Sequence, residues 1–253
     1  MPVAEGLAEH AWARLWAARL GACAESDTYL ASVAAWRNAW RPEQVRALLV
    51  AESHVAEAPG DVGVSVGLLG WMPRNFPTSY CRLIYCLGYG ESELCTPSPG
   101  RNRGTPQFWD IFGAIAGGYQ LDQPRKSAST TYERLQWKIE VLSWLQRHGV
   151  WLVDACIAGV YRPGGERAAS GAVYTKMVRE SFNRFVWPSI SNEPIQQVWV
   201  IGSGVSRALA DHEVLRSART IIQPQGDRKT PGRHRKELGE MVTSLRQLVP
   251  ALL

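Results

Sequence analysis

The sequence lacks several features that would define its class at once. No stretch approaches the ~18 consecutive apolar residues that cross a bilayer. Residues 1–22 contain acidic positions but no cleavable apolar segment of the signal-peptide type. No internal repeat is visible. We therefore expect a soluble, cytoplasmic protein, not one that is secreted, membrane-embedded or built from repeats.

Cysteine is also scarce, and its distribution argues against a disulfide framework. The chain has 5 cysteines, an odd number, and they are widely scattered. Cys81, Cys86 and Cys95 lie near one another, but no C-x2-C pair exists and a fourth thiolate would have to come from far away. We expect free, buried thiols, with no metal and no cofactor. A metal or iron–sulfur site at these cysteines is the alternative.

The composition is that of a folded protein with a large core. The chain has 253 residues, of which 45% are hydrophobic and 11 are Trp. This length accommodates one large α/β domain or two small ones. We find no convincing boundary, so we predict one domain over 1–253, with 1–44 as a helical N-terminal extension.

Apolar runs predict a parallel sheet. The runs at 45–51, 149–154 and 197–202 are apolar at nearly every position, which is typical of strands buried on both faces. A shorter run at 220–222 adds a fourth strand. We predict a three-layer α/β/α sandwich around a mostly parallel four-stranded sheet. Ligands in such folds bind outside the carboxyl ends of the strands, so polar residues at these ends are candidates for chemistry.

The helices follow from helical spacing of apolar residues and from capping residues. The predicted helical segments are 1–44, 77–87, 106–116, 129–147, 172–186 and 230–248. The region 56–110 is otherwise rich in Gly, Pro and Ser, and its most loop-like part is 91–106. Loops of this length in compact domains usually bind ligands or cover sites.

Four short motifs occur in an order that resembles the uracil-DNA glycosylase superfamily. They are AESHV (51–55), GVWLVD (149–154), VWVIGS (198–203) and IIQPQGD (221–227). In that family they correspond to a water-activating loop, a base-reading strand, a third strand and a motif before a DNA-facing helix. The resemblance covers residues 45–248. It implies a protein that flips a base out of double-stranded DNA and excises it.

The chain departs from that family at both usual catalytic positions. Ser53 stands where the commonest members carry a water-activating Asp, and Gln223 stands where they carry a His. Glu52 is the best remaining carboxylate for orienting a water, with Asp227 as a reserve. We predict catalytic roles for Glu52, Ser53 and Gln223. Glu52 could instead cap a neighbouring helix.

Two positions bear on which base is recognised. The family reads uracil with an Asn where this chain has Asp154, and an ionised Asp accepts hydrogen bonds but does not donate them. Asp154 would therefore suit the N4 amine of cytosine; a protonated Asp154 could also donate to N3. Val55 replaces a Tyr that excludes 5-substituents. The resemblance thus points to 5-modified cytosine, as in glucosylated hydroxymethyl-cytosine of phage DNA, although backbone groups could equally satisfy Asp154.

Other residues near the first motif are candidates for contacting the base. Trp71 and Phe76 could stack on a flipped base, although either could be an ordinary core residue. His54 is a further base-binding candidate. A hydrolytic pairing of Ser53 with His54 or His234 has little support, because no partner for either His is visible in the sequence.

Positive charge is concentrated near the C-terminal end. The formal net charge is +5, and residues 216–246 carry eight basic against three acidic residues, which matches the whole excess. A polyanionic partner is favoured, although a solvated helix face is the other interpretation. The predicted DNA-binding residues are Arg228, Lys229, Arg233, Arg235 and Lys236. We expect a monomer that binds double-stranded DNA and no membrane.

Two rival functions remain. Gly202-x-Gly204 could belong to a nucleotide-binding turn of a Rossmann-like enzyme, but the third Gly and the downstream acid are missing. A non-catalytic DNA-binding module of the same fold is the second rival. Cleavage of DNA at abasic sites after treatment with alkali would distinguish a glycosylase from both.

Overall fold

The computed structural model describes residues 2–67, 76–117, 124, 126–162, 166–223 and 232–248. Within it the chain forms two compact units, each assembled from three segments. Unit 1 comprises Met1–Ala39, Ser53–Thr105 and Cys156–Phe185. Unit 2 comprises Trp40–Glu52, Pro106–Ala155 and Val186–Leu253. The predicted strands at 45–51 and 149–154 both end where the chain passes from unit 2 to unit 1.

Unit 2 contains a four-stranded sheet with helices around it. Its elements, in chain order, are β2 (Ala47–Ala51), α3 (Pro106–Gly117), α4 (Thr131–Arg147), β5 (Val150–Asp154), α6 (Trp187–Ile190), β7 (Gln197–Ile201), α7 (Ser203–Ala208), β8 (Arg219–Ile221) and α8 (Arg233–Leu248). The strand order is β5-β2-β7-β8, and every neighbouring pair is parallel. The predicted α/β fold and its parallel four-stranded sheet are confirmed, and the sheet is flanked by helices as in a three-layer sandwich.

The strands form where the sequence is continuously apolar. Every residue of β2 and of β5 is buried, as expected for central strands of a parallel sheet covered on both faces. In β7 only Gln197 is not fully buried. Leu48, Leu49 and Val50 are completely inaccessible to solvent. Apolar burial over these strands therefore determines which segments form the sheet.

The helix before β5 has clear start and stop signals. Thr130 caps α4: its Oγ1 accepts from the Glu133 N–H at 3.2 Å, and the Glu133 carboxylate accepts from the Thr130 N–H at 2.7 Å. This is a capping box. Gly149 follows the helix with φ +72°, and a Cβ there would lie 2.7 Å from the Gln44 carbonyl oxygen. Only glycine fits this turn into β5.

The helices of unit 2 pack through aromatic side chains. Trp109 of α3 contacts Trp137 of α4, with ring centroids 5.7 Å apart. The buried Lys138 ammonium lies 5.2 Å from the centre of the Trp109 ring, an arrangement in which the ring face attracts the cation. Helix α3 also packs against α8. The predicted helices at 106–116 and 129–147 are confirmed within one or two residues.

Unit 1 is built from helices, short strand pairs and ordered loops. Its elements are α1 (Pro2–Leu20), β1 (Cys23–Ala24), α2 (Asp27–Ala39), β3 (Ser65–Val66), β4 (Cys95–Thr96), β6 (Val160–Tyr161) and α5 (Gly171–Ser181), with 3₁₀ turns at Pro59–Asp61 and Ser92–Leu94. The pairs β1–β6 and β3–β4 are antiparallel and two residues long. Long-range hydrogen bonds, not extended sheets, therefore organise this unit.

The helix predicted at 77–87 is wrong. The segment forms turns and an antiparallel bridge between Ser79 and Ser65. Its backbone groups have tertiary partners: the Val66 N–H donates to the Thr78 carbonyl at 2.6 Å, and the Tyr80 N–H donates to the Val64 carbonyl at 3.0 Å. These contacts extend the β3–β4 ladder, and they replace the local hydrogen bonds that a helix would need.

Two other helical predictions need smaller corrections. The N-terminal region is not one helical stretch, because β1 interrupts it between α1 and α2. The helix predicted at 172–186 begins as α5 and does not stop before Trp187. Its helical path continues through a π-helical turn, Phe182–Val186, into α6. Pro188, which has no N–H to donate, lies in α6 directly after this turn.

The described part of the chain also bears on the membrane and thiol predictions. None of its helices combines the length and apolarity needed to cross a bilayer. None of the five cysteines forms a disulfide; Cys23 is exposed and the other four are buried. Within the described ranges, no group of three or more His, Cys, Asp or Glu side chains is arranged to hold a metal ion.

Candidate functional site

The ends of β2 and β5 lie side by side in unit 2. Ala51 and Asp154 are register partners in the parallel ladder, and the Ala155 N–H donates to the Ala51 carbonyl at 2.8 Å. Glu52 stands one residue beyond that pair, where the chain bends out of the strand. Adjacent strands are ~4.8 Å apart. The structure thus places the candidates Glu52 and Asp154 at the same edge of the sheet.

The two positions differ in exposure. Asp154 is 2% exposed, whereas Glu52 is half-buried. Because register partners on neighbouring strands project to the same face of the sheet, the small Ala51 side chain shares the face of Asp154. A carboxylate that is buried beside an alanine can select a planar ligand by the hydrogen bonds it accepts.

The ends of β7 and β8 lie at this same edge. The Gly202 N–H, directly after β7, donates to the Ile221 carbonyl at 2.8 Å. Gly202 has φ +108°, and a Cβ there would be 3.8 Å from the Gln223 side-chain nitrogen. The amide of Gln223 therefore lies over the backbone of Gly202. We call Glu52, Asp154, Gly202 and Gln223 the strand-end cluster.

Helix α8 fixes the chain immediately before Gln223. The Ile222 N–H donates to Glu237 at 2.7 Å, and the Ile222 carbonyl lies 2.7 Å from Nδ1 of His234, which donates to it. Both backbone groups of Ile222 are thus held by side chains of the first turns of α8. His234 and Glu237 are supporting residues that sequence reasoning did not find.

The predicted DNA-binding residues are only partly visible. Arg228 and Lys229, with the reserve carboxylate Asp227, lie outside the described residues. Arg233 is exposed but paired with Glu237, with 2.6 Å between Nε and the carboxylate. Arg235 and Lys236 are exposed on α8. These two are the best described candidates for contacting phosphate.

The loop that follows Glu52 belongs to unit 1, and we call residues 53–58 the first loop. Ser53 is half-buried in it and Val55 is 38% exposed. The Val55 N–H donates to the Arg82 carbonyl at 3.0 Å, and the Val55 carbonyl accepts from the Tyr29 hydroxyl at 2.7 Å. Both the N–H and the carbonyl of Val55 are therefore hydrogen-bonded to other segments of unit 1.

His54 lies in the interior. Its side chain is completely buried, and Nε2 is 3.0 and 3.1 Å from the two oxygens of the Glu25 carboxylate, also completely buried. Nε2 therefore carries the proton and donates it. The sequence showed no partner for this histidine, and the structure supplies one 29 positions away.

An ion pair between Arg82 and the buried Asp61 also supports the first loop. The Arg82 guanidinium meets the Asp61 carboxylate through two contacts, of 2.7 and 3.0 Å, and Asp61 also accepts from the Ala58 N–H at 2.8 Å. Burial opposes the charge on Arg82, but the hydrogen bond and charge of Asp61 outweigh it and raise the pKa of Arg82. Burial raises the pKa of Tyr29, so its hydroxyl stays a donor to Val55.

Of the two aromatic residues predicted to stack on a flipped base, the structure describes only Phe76. Trp71 lies outside the described residues. Phe76 is half-buried, and its ring meets Trp36 edge-on, with centroids 6.2 Å apart. Trp36 is fully buried and donates to the Ser79 carbonyl at 2.7 Å. Phe76 thus packs on the core of unit 1.

Sequence reasoning missed Glu25, Tyr29, Asp61 and Arg82. One signal was present for Glu25: Gly21 followed by Ser26-Asp27 reads as a helix end and a new N-cap, so the intervening residues could have been assigned to a loop. Nothing in the sequence paired that loop with residues 53–58 or 156–159.

No protein-family model matches the chain, and no curated protein is significantly similar to it.

Proposed function

We propose that the protein is a DNA glycosylase that flips a base out of double-stranded DNA and hydrolyses its N-glycosidic bond. The observation that carries this proposal is the register of β2 and β5, which brings the chain positions of Glu52 and Asp154 to one edge of a parallel sheet. The carboxyl edge of such a sheet is where α/β proteins bind ligands. The motif order that resembles the uracil-DNA glycosylase superfamily supplies the reaction class.

The strand-end cluster offers the groups that this reaction requires. Water attacks C1′ of the sugar, a C1′–O bond forms, the C1′–N bond breaks, and its electron pair leaves with the base. Positive charge develops on the sugar, so the half-buried Glu52 carboxylate can stabilise it and accept a proton from the attacking water. The amide of Gln223 can donate to the base as it gains negative charge.

Asp154 supports a cytosine-type substrate. A buried carboxylate accepts from the N4 amine of cytosine but presents only lone pairs to the O4 of uracil. Ala51, the register partner of Asp154, has a small side chain. With Val55 at the position where the resemblance expects an excluding Tyr, we propose a cytosine carrying a substituent at C5. Glucosylated hydroxymethyl-cytosine of phage DNA, met in the cytoplasm, is the leading candidate.

The exposed basic residues of α8 supply affinity for DNA. Arg235 and Lys236 are exposed on the helix that anchors Ile222, beside Gln223 in the chain. Phosphate contacts of this kind position a duplex without reading its sequence. Arg233 contributes less, because its guanidinium is already paired with Glu237.

The proposal is tested with purified protein and duplexes containing cytosine, 5-hydroxymethyl-cytosine, glucosylated hydroxymethyl-cytosine or uracil. Alkali converts abasic sites into strand breaks, which denaturing electrophoresis detects. We expect breaks at the 5-modified cytosine and fewer or none at uracil. Binding of all four duplexes with no break in any of them would favour a non-catalytic DNA-binding module.

Two substitutions test the assigned roles. Glu52→Gln removes the proton acceptor, so we expect kcat to fall by about 100-fold or more while the Kd for DNA changes little. Glu43→Gln is the matched control, because Glu43 is an exposed acid that precedes the same strand by four positions, away from its carboxyl end. Asp154→Asn adds a donor and should shift preference toward uracil by about tenfold. Unchanged base preference would remove Asp154 from the site.

A further inference from the structure

Glu25 is a buried acid of unit 1 that accepts hydrogen bonds from several donors. The residue is 3% exposed. Its carboxylate accepts from Nε2 of His54, from the Glu57 N–H at 3.3 Å and from the Gly159 N–H in a short hydrogen bond. A carboxylate has about four acceptor positions, so these donors occupy most of them.

These donors come from two separate loops. His54 and Glu57 belong to the first loop, which begins immediately after Glu52. Gly159 belongs to residues 156–159, which begin two positions after Asp154 and which we call the second loop. One buried carboxylate therefore joins the two loops that follow the two candidate site residues in the chain.

The fit around Glu25 is close. A Cβ on Gly159 would lie 2.8 Å from a Glu25 carboxylate oxygen and 2.9 Å from its carbon, so any larger residue would displace the carboxylate. Glu57 reinforces the arrangement from the other side, because its own carboxylate accepts from the N–H and the hydroxyl of Ser26, both at 2.7 Å. Hydrogen bonds thus run in both directions: the first loop donates to the Glu25 carboxylate, and Ser26 donates to the Glu57 carboxylate of the first loop.

We propose that Glu25 is a positioning residue that couples the first loop to the second, so that neither can shift without the other. The proposal rests on the proposed function, in which Glu52 and Asp154 act on one base. Its physical basis is the cost of leaving buried donors unsatisfied: if either loop moved away, its N–H groups would lose their hydrogen bonds to the Glu25 carboxylate. A residue of the N-terminal region thereby links the two loops of unit 1.

The test compares three full-length variants by amide hydrogen exchange. Glu25→Gln keeps the size but offers one acceptor oxygen and an NH2 that faces donors, so exchange should accelerate about tenfold or more in both loops. Gly159→Ala displaces the carboxylate from the second loop, and we expect faster exchange in the first loop as well. Glu25→Asp, which keeps the carboxylate, should restore part of the protection.

Ser181→Ala is the matched control. The Ser181 hydroxyl accepts from the Ile157 N–H at 3.0 Å, so it anchors the second loop independently of Glu25. Its loss should accelerate exchange in the second loop alone. Faster exchange in the first loop of this variant, or acceleration confined to one loop in Gly159→Ala, would overturn the coupling.

Measurements of kcat and of the Kd for DNA distinguish a positioning role of Glu25 from a role in protein stability alone. On the modified duplex we expect Glu25→Gln to lower kcat about tenfold or more with the Kd for DNA within about twofold, and Glu25→Asp to recover part of kcat. An unchanged kcat in Glu25→Gln would overturn the positioning role. If the wild-type protein cuts no duplex, the proposed function fails, and the exchange experiment still decides whether Glu25 couples the loops.

Discussion

The two units of the molecule are organised by different forces. Unit 2 is a parallel sheet whose strands are buried on both faces, and its order follows from continuous apolar runs. In its described residues unit 1 has strands of only two residues, and it depends on the buried polar groups of Glu25, His54 and Asp61, the last paired with the half-buried Arg82. Apolar burial is spread over many residues, whereas a buried ion pair depends on two, so the units should respond differently to single substitutions.

The largest expected effect is in unit 1. Asp61→Ala leaves the mostly buried Arg82 guanidinium and the Ala58 N–H without their acceptor, and we expect a loss of about 3–5 kcal/mol in the free energy of unfolding, measured in urea. Asp27→Ala is the control, because Asp27 forms a solvent-exposed pair with Arg14 and should cost about 0–1 kcal/mol. Equal losses would mean that the buried pair does not organise unit 1.

Unit 2 should be most sensitive where its backbone is crowded. Gly149→Ala combines a positive φ with a Cβ 2.7 Å from the Gln44 carbonyl oxygen, and we expect a loss of about 2–4 kcal/mol. Gly21→Ala has a similar φ of +57° but nothing within 4 Å, so only the conformational cost of about 1–2 kcal/mol applies. A loss at Gly149 no larger than that at Gly21 would show that the turn into β5 can relax.

A moderate effect is expected at the cap of α4. Thr130→Ala removes the hydroxyl from the capping box and should cost about 1 kcal/mol by urea unfolding. Hydrogen bonds from Thr130 lower the pKa of Glu133. A lowered folded-state pKa contributes stability above the unfolded value and loses it as the pH falls through the folded value. The difference between wild type and variant should therefore narrow in acid; a gap that is constant with pH would contradict this.

The smallest effect on stability is expected at the exposed face of α8, where function should change instead. Replacing Arg235 and Lys236 together by Ala should alter the free energy of unfolding by less than about 0.5 kcal/mol. It should also reduce the log–log salt dependence of DNA binding by about 0.9 for each phosphate that the helix no longer neutralises. Arg233→Ala should change that slope less, because Glu237 already engages Arg233. An unchanged slope in the double variant would place the DNA elsewhere.

Local patterns predicted unit 2 well and unit 1 poorly. The strand at 45–51 and the capped helix at 129–147 were readable because burial and capping depend on neighbouring residues. The helix predicted at 77–87 was wrong because Thr78 and Tyr80 hydrogen-bond to residues more than ten positions away. Spacing within a segment carries no information about such partners.

The candidate site also has a part that the sequence could suggest and a part that only the structure shows. Glu52, Asp154 and Gln223 could be chosen as candidates because each lies at the end of an apolar run, and the carboxyl ends of parallel strands meet at one edge. The support of His54 by Glu25 and of Ile222 by His234 and Glu237 could not be found, because these contacts join residues from separate segments.

By itself the sequence determined which segments enter the sheet, where α4 begins and ends, and which polar residues follow the strands, because these depend on burial and capping within short windows. Only the tertiary structure decided the order β5-β2-β7-β8, the pairing of Ala51 with Asp154 and the burial of His54 against Glu25. The physical reason is that hydrogen bonds and ion pairs between distant segments form only after the apolar core has brought those segments together.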